Sequence, residues 1–150
     1  MTIEERLMAD LKDAMRAGAA GERRKSTIRM ARAAIHNMQI ALGHPLNDAE
    51  TIQVLQREVK MRRDAVDEYA RVGREDRADI EREEIVILQD YLPAEMTREE
   101  VTAAVREAIA ETGATSVAEI GKVMPLLMQR LKGKAEGRLI NQVVRQQLGG

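Results

Sequence analysis

Residues 28–42 read IRMARAAIHNMQIAL. Ile28, Ala31, Ile35, Met38 and Leu42 step by three, four, three and four, so all five share one stripe of an α-helix, a seam suited to antiparallel packing. Gly43 and Pro45 close the run. The same period continues on both sides. Upstream, Thr2 with Glu5 has capping-box spacing, in which hydroxyl and carboxylate satisfy two orphan N–H groups reciprocally. Leu7, Leu11, Ala14 and Met15 follow on one face until Gly18 ends that helix, and a polar turn (19–22) leads into the next. Downstream, Asn47 with Glu50 opens a third helix, with Ile52, Leu55, Val59, Val66 and Tyr69 inward and Gly73 as its stop. Arg62 falls on the same stripe, where a purely apolar core would not place it. A fourth, heavily charged helix runs from about Arg74 to Tyr91 with Ile85, Leu88 and Leu92 as its stripe.

The Leu92–Pro93 step marks a boundary, because proline lacks the N–H and disfavours helix in the residue before it. Three shorter helical pieces follow. Thr97 with Glu100 is a further capping box, ahead of Val101, Ala104, Val105 and Ile109, with Gly113 as the stop. Ser116 with Glu119 caps a short segment, which Gly121 and Pro125 are expected to divide from a piece ending near Leu131. After KGKAEG, a last helix carries Leu139, Ile140, Val143, Val144 and Leu148 inward. No segment has the two-residue period of a strand. The expected fold is all-α: an N-terminal bundle of long helical hairpins over residues 1–93 and a compact C-terminal three-helix lobe over 94–150.

The chain has 150 residues, no Cys, no Phe, no Trp and two Tyr. The absence of Cys removes disulfides, thiolate metal sites and Cys nucleophiles. Scarce aromatics remove sites built on stacking, such as aromatic cages and single-strand base platforms. His36 and His44 are the only histidines and fit no ligand pattern. Ser26 and Ser116 are the only serines, poor material for a Ser-His-Asp arrangement. Pairs such as Glu83-Glu84 and Glu99-Glu100 sit where a charged helix face would put them, and no phosphate-binding glycine loop is present. This reading argues against autonomous catalysis and assigns no catalytic residue, cofactor or metal. The first ten residues, MTIEERLMAD, lack the apolar core of a signal peptide, and the apolar runs fall far short of the ~18 residues a membrane span needs. The expected location is the cytoplasm.

Charge is segregated beneath a net charge of -1. Residues 23–47 contain Arg23, Arg24, Lys25, Arg29 and Arg32 and no acid; residues 48–91 contain 8 basic and 13 acidic residues, and residues 121–150 contain 6 basic and 1 acidic residue. At the C-terminal end, Lys134, Arg138, Asn141 and Arg145 are spaced to share a face of the last helix opposite its apolar side. Gly133 and Gly137 allow close backbone approach there. Phosphate contact is one reading; an ordinary polar outer face, with cations suited to a helix C-terminus, is the other. The Arg23-Arg24-Lys25 run reads as a solvated helix start, and Arg62-Arg63 as partners of Glu58, Asp64 or Asp67.

Two segments resemble the GatB/YqeY family: LQREVKMRRDAVDEYARVGREDRADIEREEIVILQDYLP, from Leu55 to Pro93, and ETGATSVAEIGKVMPLLMQRLKGKAEGRLINQVVRQQL, from Glu111 to Leu148. The resemblance extends over essentially the whole chain. It implies an architecture similar to the tail of the B subunit of glutamine-dependent tRNA amidotransferases, an appended tRNA-contacting lobe of a carbon–nitrogen ligase. The family's KGKA pattern falls on Lys132, Gly133, Lys134 and Ala135, followed by Asn141. With Arg138 and Arg145 from the charge pattern, the candidate RNA-facing set is Lys132, Gly133, Lys134, Arg138, Asn141 and Arg145. The expected function is a non-catalytic tRNA-binding accessory protein, with tRNA and the tRNA-charging or amidotransferase machinery as partners and no membrane. The alternatives are a helical protein-interaction adaptor without an RNA role, docking through the acidic helices, and a subunit contributing to amidation.

Overall fold

The computed structural model describes residues 1–149. Among them lie seven α-helices, two 3-10 turns and no strand. The chain divides into two compact units, the first ending at Leu92 and the second starting at Pro93.

The first unit holds α1 (Ile3–Arg16), α2 (Glu22–Leu42), α3 (Asp48–Arg71) and α4 (Glu75–Gln89). Its helix starts follow from local chemistry. Thr2 and Asn47 each form a complete capping box, with Glu5 and Glu50 as the reciprocal partners. The α2 helix ends on Gly43 in the left-handed conformation, which glycine adopts without a steric penalty. The α3 and α4 helices pack along each other, and α2 touches α1, α3 and α4. Leu7 and Leu11, Ile28, Ala31 and Ile35, Leu55 and Val59, Ile85 and Leu88 meet in one core. Burying a side chain of this size contributes about 1.5–3 kcal/mol. Met15 and Leu42, expected on the inner face, are exposed instead. Both fall in the last turn of their helices, where the apolar period outlasts the neighbour that would cover it.

Between α1 and α2 a 3-10 turn spans Gly18–Gly21. Gly21 is buried, and a Cβ there would stand 2.1 Å from the Ala14 carbonyl oxygen. Only glycine lets this tight reversal close.

The basic run at the head of α2 is not merely solvated. Arg23 Nε bonds Glu83 at 3.1 Å, Arg24 lies 3.3 Å from Asp10, and Lys25 lies 2.9 Å from Glu22. Two of these three pairs tie α2 to α4 and to α1. Tyr91 is buried, donates its hydroxyl proton to Asp10 and stacks its ring 4.8 Å from the Arg6 guanidinium. Burial, then the Asp10 carboxylate, raise its phenol above the usual range.

Arg62 is 5 % exposed inside this unit. Its Nη1 donates to the Glu58 carboxylate at 3.2 Å, one helical turn back, as the sequence spacing suggested. Its Nε donates to Glu84 at 3.0 Å, across from α3 to α4. Glu84 is 7 % exposed, so the expectation of a solvated acidic face fails for it. A buried guanidinium draws a carboxylate inward, because an unpaired charge there would be strongly unfavourable. Burial and the adjacent Glu84 carboxylate raise the neighbouring Glu81 carboxyl above its usual range.

The second unit holds α5 (Arg98–Thr112), α6 (Ile120–Arg130) and α7 (Gly137–Gln147), each packed on the other two. Val101, Val105 and Ala108, Val123 and Leu127, Ile140, Val143 and Val144 form its core. Thr97 accepts from the Glu100 N–H at 3.1 Å, one half of the expected box. Two expectations fail here. Ser116 makes no side-chain cap; Thr115 instead donates from its N–H and its hydroxyl to Glu119, at 3.1 and 2.8 Å. Pro125 lies inside α6 and does not divide it. One missing N–H removes a single helical bond, and buried Val123 and Leu127 hold the helix on both sides of it.

Candidate nucleic-acid interface

The α6–α7 connection is built from main-chain bonds. The Leu131 carbonyl accepts from Lys134 N–H at 2.9 Å, the Lys134 carbonyl accepts from Met96 N–H at 2.8 Å, and Gly133 turns with φ at 75°. Lys134 therefore belongs to this turn and not to α7, which starts only at Gly137 behind Glu136. The expected four-residue face shortens to Arg138, Asn141 and Arg145, all on α7. Lys132, Gly133 and Lys134 are exposed in the turn; Arg138 and Arg145 are exposed and Asn141 is half-buried on the helix.

Charge pairing separates the cations of this unit. Lys122 lies 2.9 Å from Glu119 and Arg130 lies 2.6 Å from Glu111. The Lys122 ammonium first, then the Thr115 donors, lower the Glu119 carboxyl to about 2. Among the described residues no carboxylate pairs with Lys132 or Lys134. Arg145 Nε donates to the Asn141 amide oxygen at 2.9 Å, a neutral partner that leaves the positive charge uncompensated.

Two further guanidiniums reach α7 that the sequence reading passed over. Arg98 donates to Gln142 at 3.3 Å and to Gln146 at 2.8 Å, and Arg106 donates to Gln147 at 3.0 Å. The 142/146 spacing of the glutamines was the available signal. Arg98 and Arg106, too, rest on uncharged amides in these contacts.

The position of the lysines matters more than their number. Arg145 lies in the last turn of α7, where a cation suits the helix dipole. Lys134 and Arg138 flank the opposite, positive end, where the dipole disfavours a cation by about 0.3–1 kcal/mol. Helix stability therefore does not account for them. Together with helix N-terminal N–H groups they suit a bound anion such as phosphate. No group of three His, Asp or Glu side chains among the described residues is placed to hold a metal ion, and none of the described helices is long and apolar enough to cross a membrane.

These features define an all-helical protein of two separately cored units whose second unit presents a cationic turn. The chain belongs to the Yqey-like protein family, which matches residues 4–148. No curated protein is significantly similar to it.

Proposed function

We propose that the chain is a non-catalytic accessory protein that binds folded RNA of the tRNA type through its phosphates. The observation that carries this reading is the pair of exposed lysines Lys132 and Lys134, which no carboxylate among the described residues pairs with, in the turn beside the positive end of α7. Resemblance to the tail of the tRNA amidotransferase B subunit supports the choice of RNA. With two tyrosines, no Phe and no Trp, recognition rests on phosphates, 2′-hydroxyls and shape and not on splayed bases.

Three to five phosphate contacts give a log–log salt slope of about −2.7 to −4.5, so affinity falls about 40- to 500-fold between 50 and 200 mM salt. Fluorescence anisotropy with a structured tRNA measures this. Lys132→Glu, Lys134→Glu and Arg138→Glu combined should abolish binding with the circular dichroism spectrum unchanged; unaltered affinity would refute the interface. The adaptor reading has its own support: Ile40 and Val86, both 67 % exposed, lie on the long helices of the first unit. A partner protein retained from lysate after ribonuclease treatment would favour it.

A further inference from the structure

The cations of α2 fall into two sets. Arg23, Arg24 and Lys25 are held by Glu83, Asp10 and Glu22. Arg32, half-buried, has neither a hydrogen bond nor an ion pair among the described residues. It lines a groove of about 410 Å³ between the start of α1 and the middle of α2. Its guanidinium meets no protein acceptor, and its planar fork matches a carboxylate.

The other lining groups narrow the ligand. Glu4 and Glu5 stand on the α1 side, each positioned by one hydrogen bond, Glu4 from Gln39 at 2.9 Å and Glu5 from the Thr2 N–H at 3.4 Å. Two acidic side chains on this wall disfavour a polyanion in the groove. Met8 and Ile35 add apolar atoms to the lining. The volume lies within the range of small-molecule sites, about 300–1,000 Å³.

We propose that this groove binds a small zwitterion with an apolar side group, its carboxylate on Arg32 and its ammonium against Glu4 and Glu5. The α-amino acids are the simplest class with that chemistry. The site lies wholly in the first unit and does not depend on the RNA reading.

The test titrates the full, ¹⁵N-labelled chain with leucine, N-acetylleucine, leucinamide and inorganic phosphate, following amide and arginine side-chain shifts. Leucine should give saturable shifts at the start of α1 and the middle of α2, with a Kd on the order of 1 mM for so few atoms. N-acetylleucine and leucinamide, each lacking one charge, should bind at least about tenfold more weakly, as should leucine to Arg32→Gln. Phosphate binding as tightly as leucine would make this a plain anion site and overturn the proposal. Equal shifts from all four compounds, or no saturable shift with leucine, would overturn it as well. The compound series needs no variant, so a folding defect in Arg32→Gln leaves the test intact.

Discussion

Replacing Arg62 by Met removes the cation that two inward-facing carboxylates share. Glu84 and Glu58 have side chains only 10 % and 15 % exposed, at 3.0 and 3.2 Å from the guanidinium. Deleting one member of a buried pair leaves an uncompensated charge and costs about 3–5 kcal/mol. With a urea m-value near 2 kcal/mol/M, this moves the denaturation midpoint down by about 2 M. The melting temperature falls by about 15–25 °C for a unit of this size. Glu84→Leu alone leaves Arg62 its Glu58 partner and should cost about 1–3 kcal/mol, the range for a hydrogen bond to a charged group. The double variant Arg62→Met, Glu84→Leu replaces the cross-helix pair by apolar packing but still leaves Glu58 without its cation, so it should cost no more than Arg62→Met alone, a coupling of about 2 kcal/mol in the cycle. Urea unfolding followed at 222 nm measures all four proteins. A cost below about 1 kcal/mol for Arg62→Met, or strict additivity in the double variant, would show that water already solvates the pair and refute the reasoning.

Two glycines should respond in opposite directions to alanine. Gly21→Ala drives a methyl to 2.1 Å from a backbone oxygen and should destabilise by about 3 kcal/mol or more, whereas Gly121→Ala meets open space inside α6 and should stabilise by about 0.5–1 kcal/mol, both read by urea midpoints. Carboxyl NMR should find Glu119 titrating at about 2, and Lys122→Met should bring it back toward the ordinary carboxylate range. Because the folded value is lowered, the stability linked to Glu119 is present above the unfolded carboxyl range and is lost as pH falls through about 2. An ordinary midpoint in the parent chain would show that the Thr115 and Lys122 contacts are not held in solution.

Helix starts and stops were legible because they rest on contacts within one turn. Thr2–Glu5, Asn47–Glu50 and the left-handed Gly43 and Gly113 needed no knowledge of distant residues. Where the answer depended on a neighbour far along the chain, local reading failed. Arg62 stood out on an apolar stripe, yet Glu84, 22 residues on, looked like one more surface acid until α4 brought it inward. The Arg23–Glu83 pair spans 60 residues and was equally invisible. Of the candidate interface, Arg138, Asn141 and Arg145 were read onto their helix correctly, while Lys134 was misplaced because the turn at Gly133 is fixed by the Met96 contact. Pro125 shows the converse, a local breaker overruled by buried side chains on either side of it.

The loop between α6 and α7 divides labour between its two kinds of atom. Amide and carbonyl groups fasten it to Leu131 and Met96. Any residue that tolerates the same backbone path would be fastened equally well at positions 132 and 134. Mutation can therefore raise, lower or invert the charge displayed there without loosening the lobe beneath it, and a lineage can retune what this surface attracts while inheriting its scaffold unchanged.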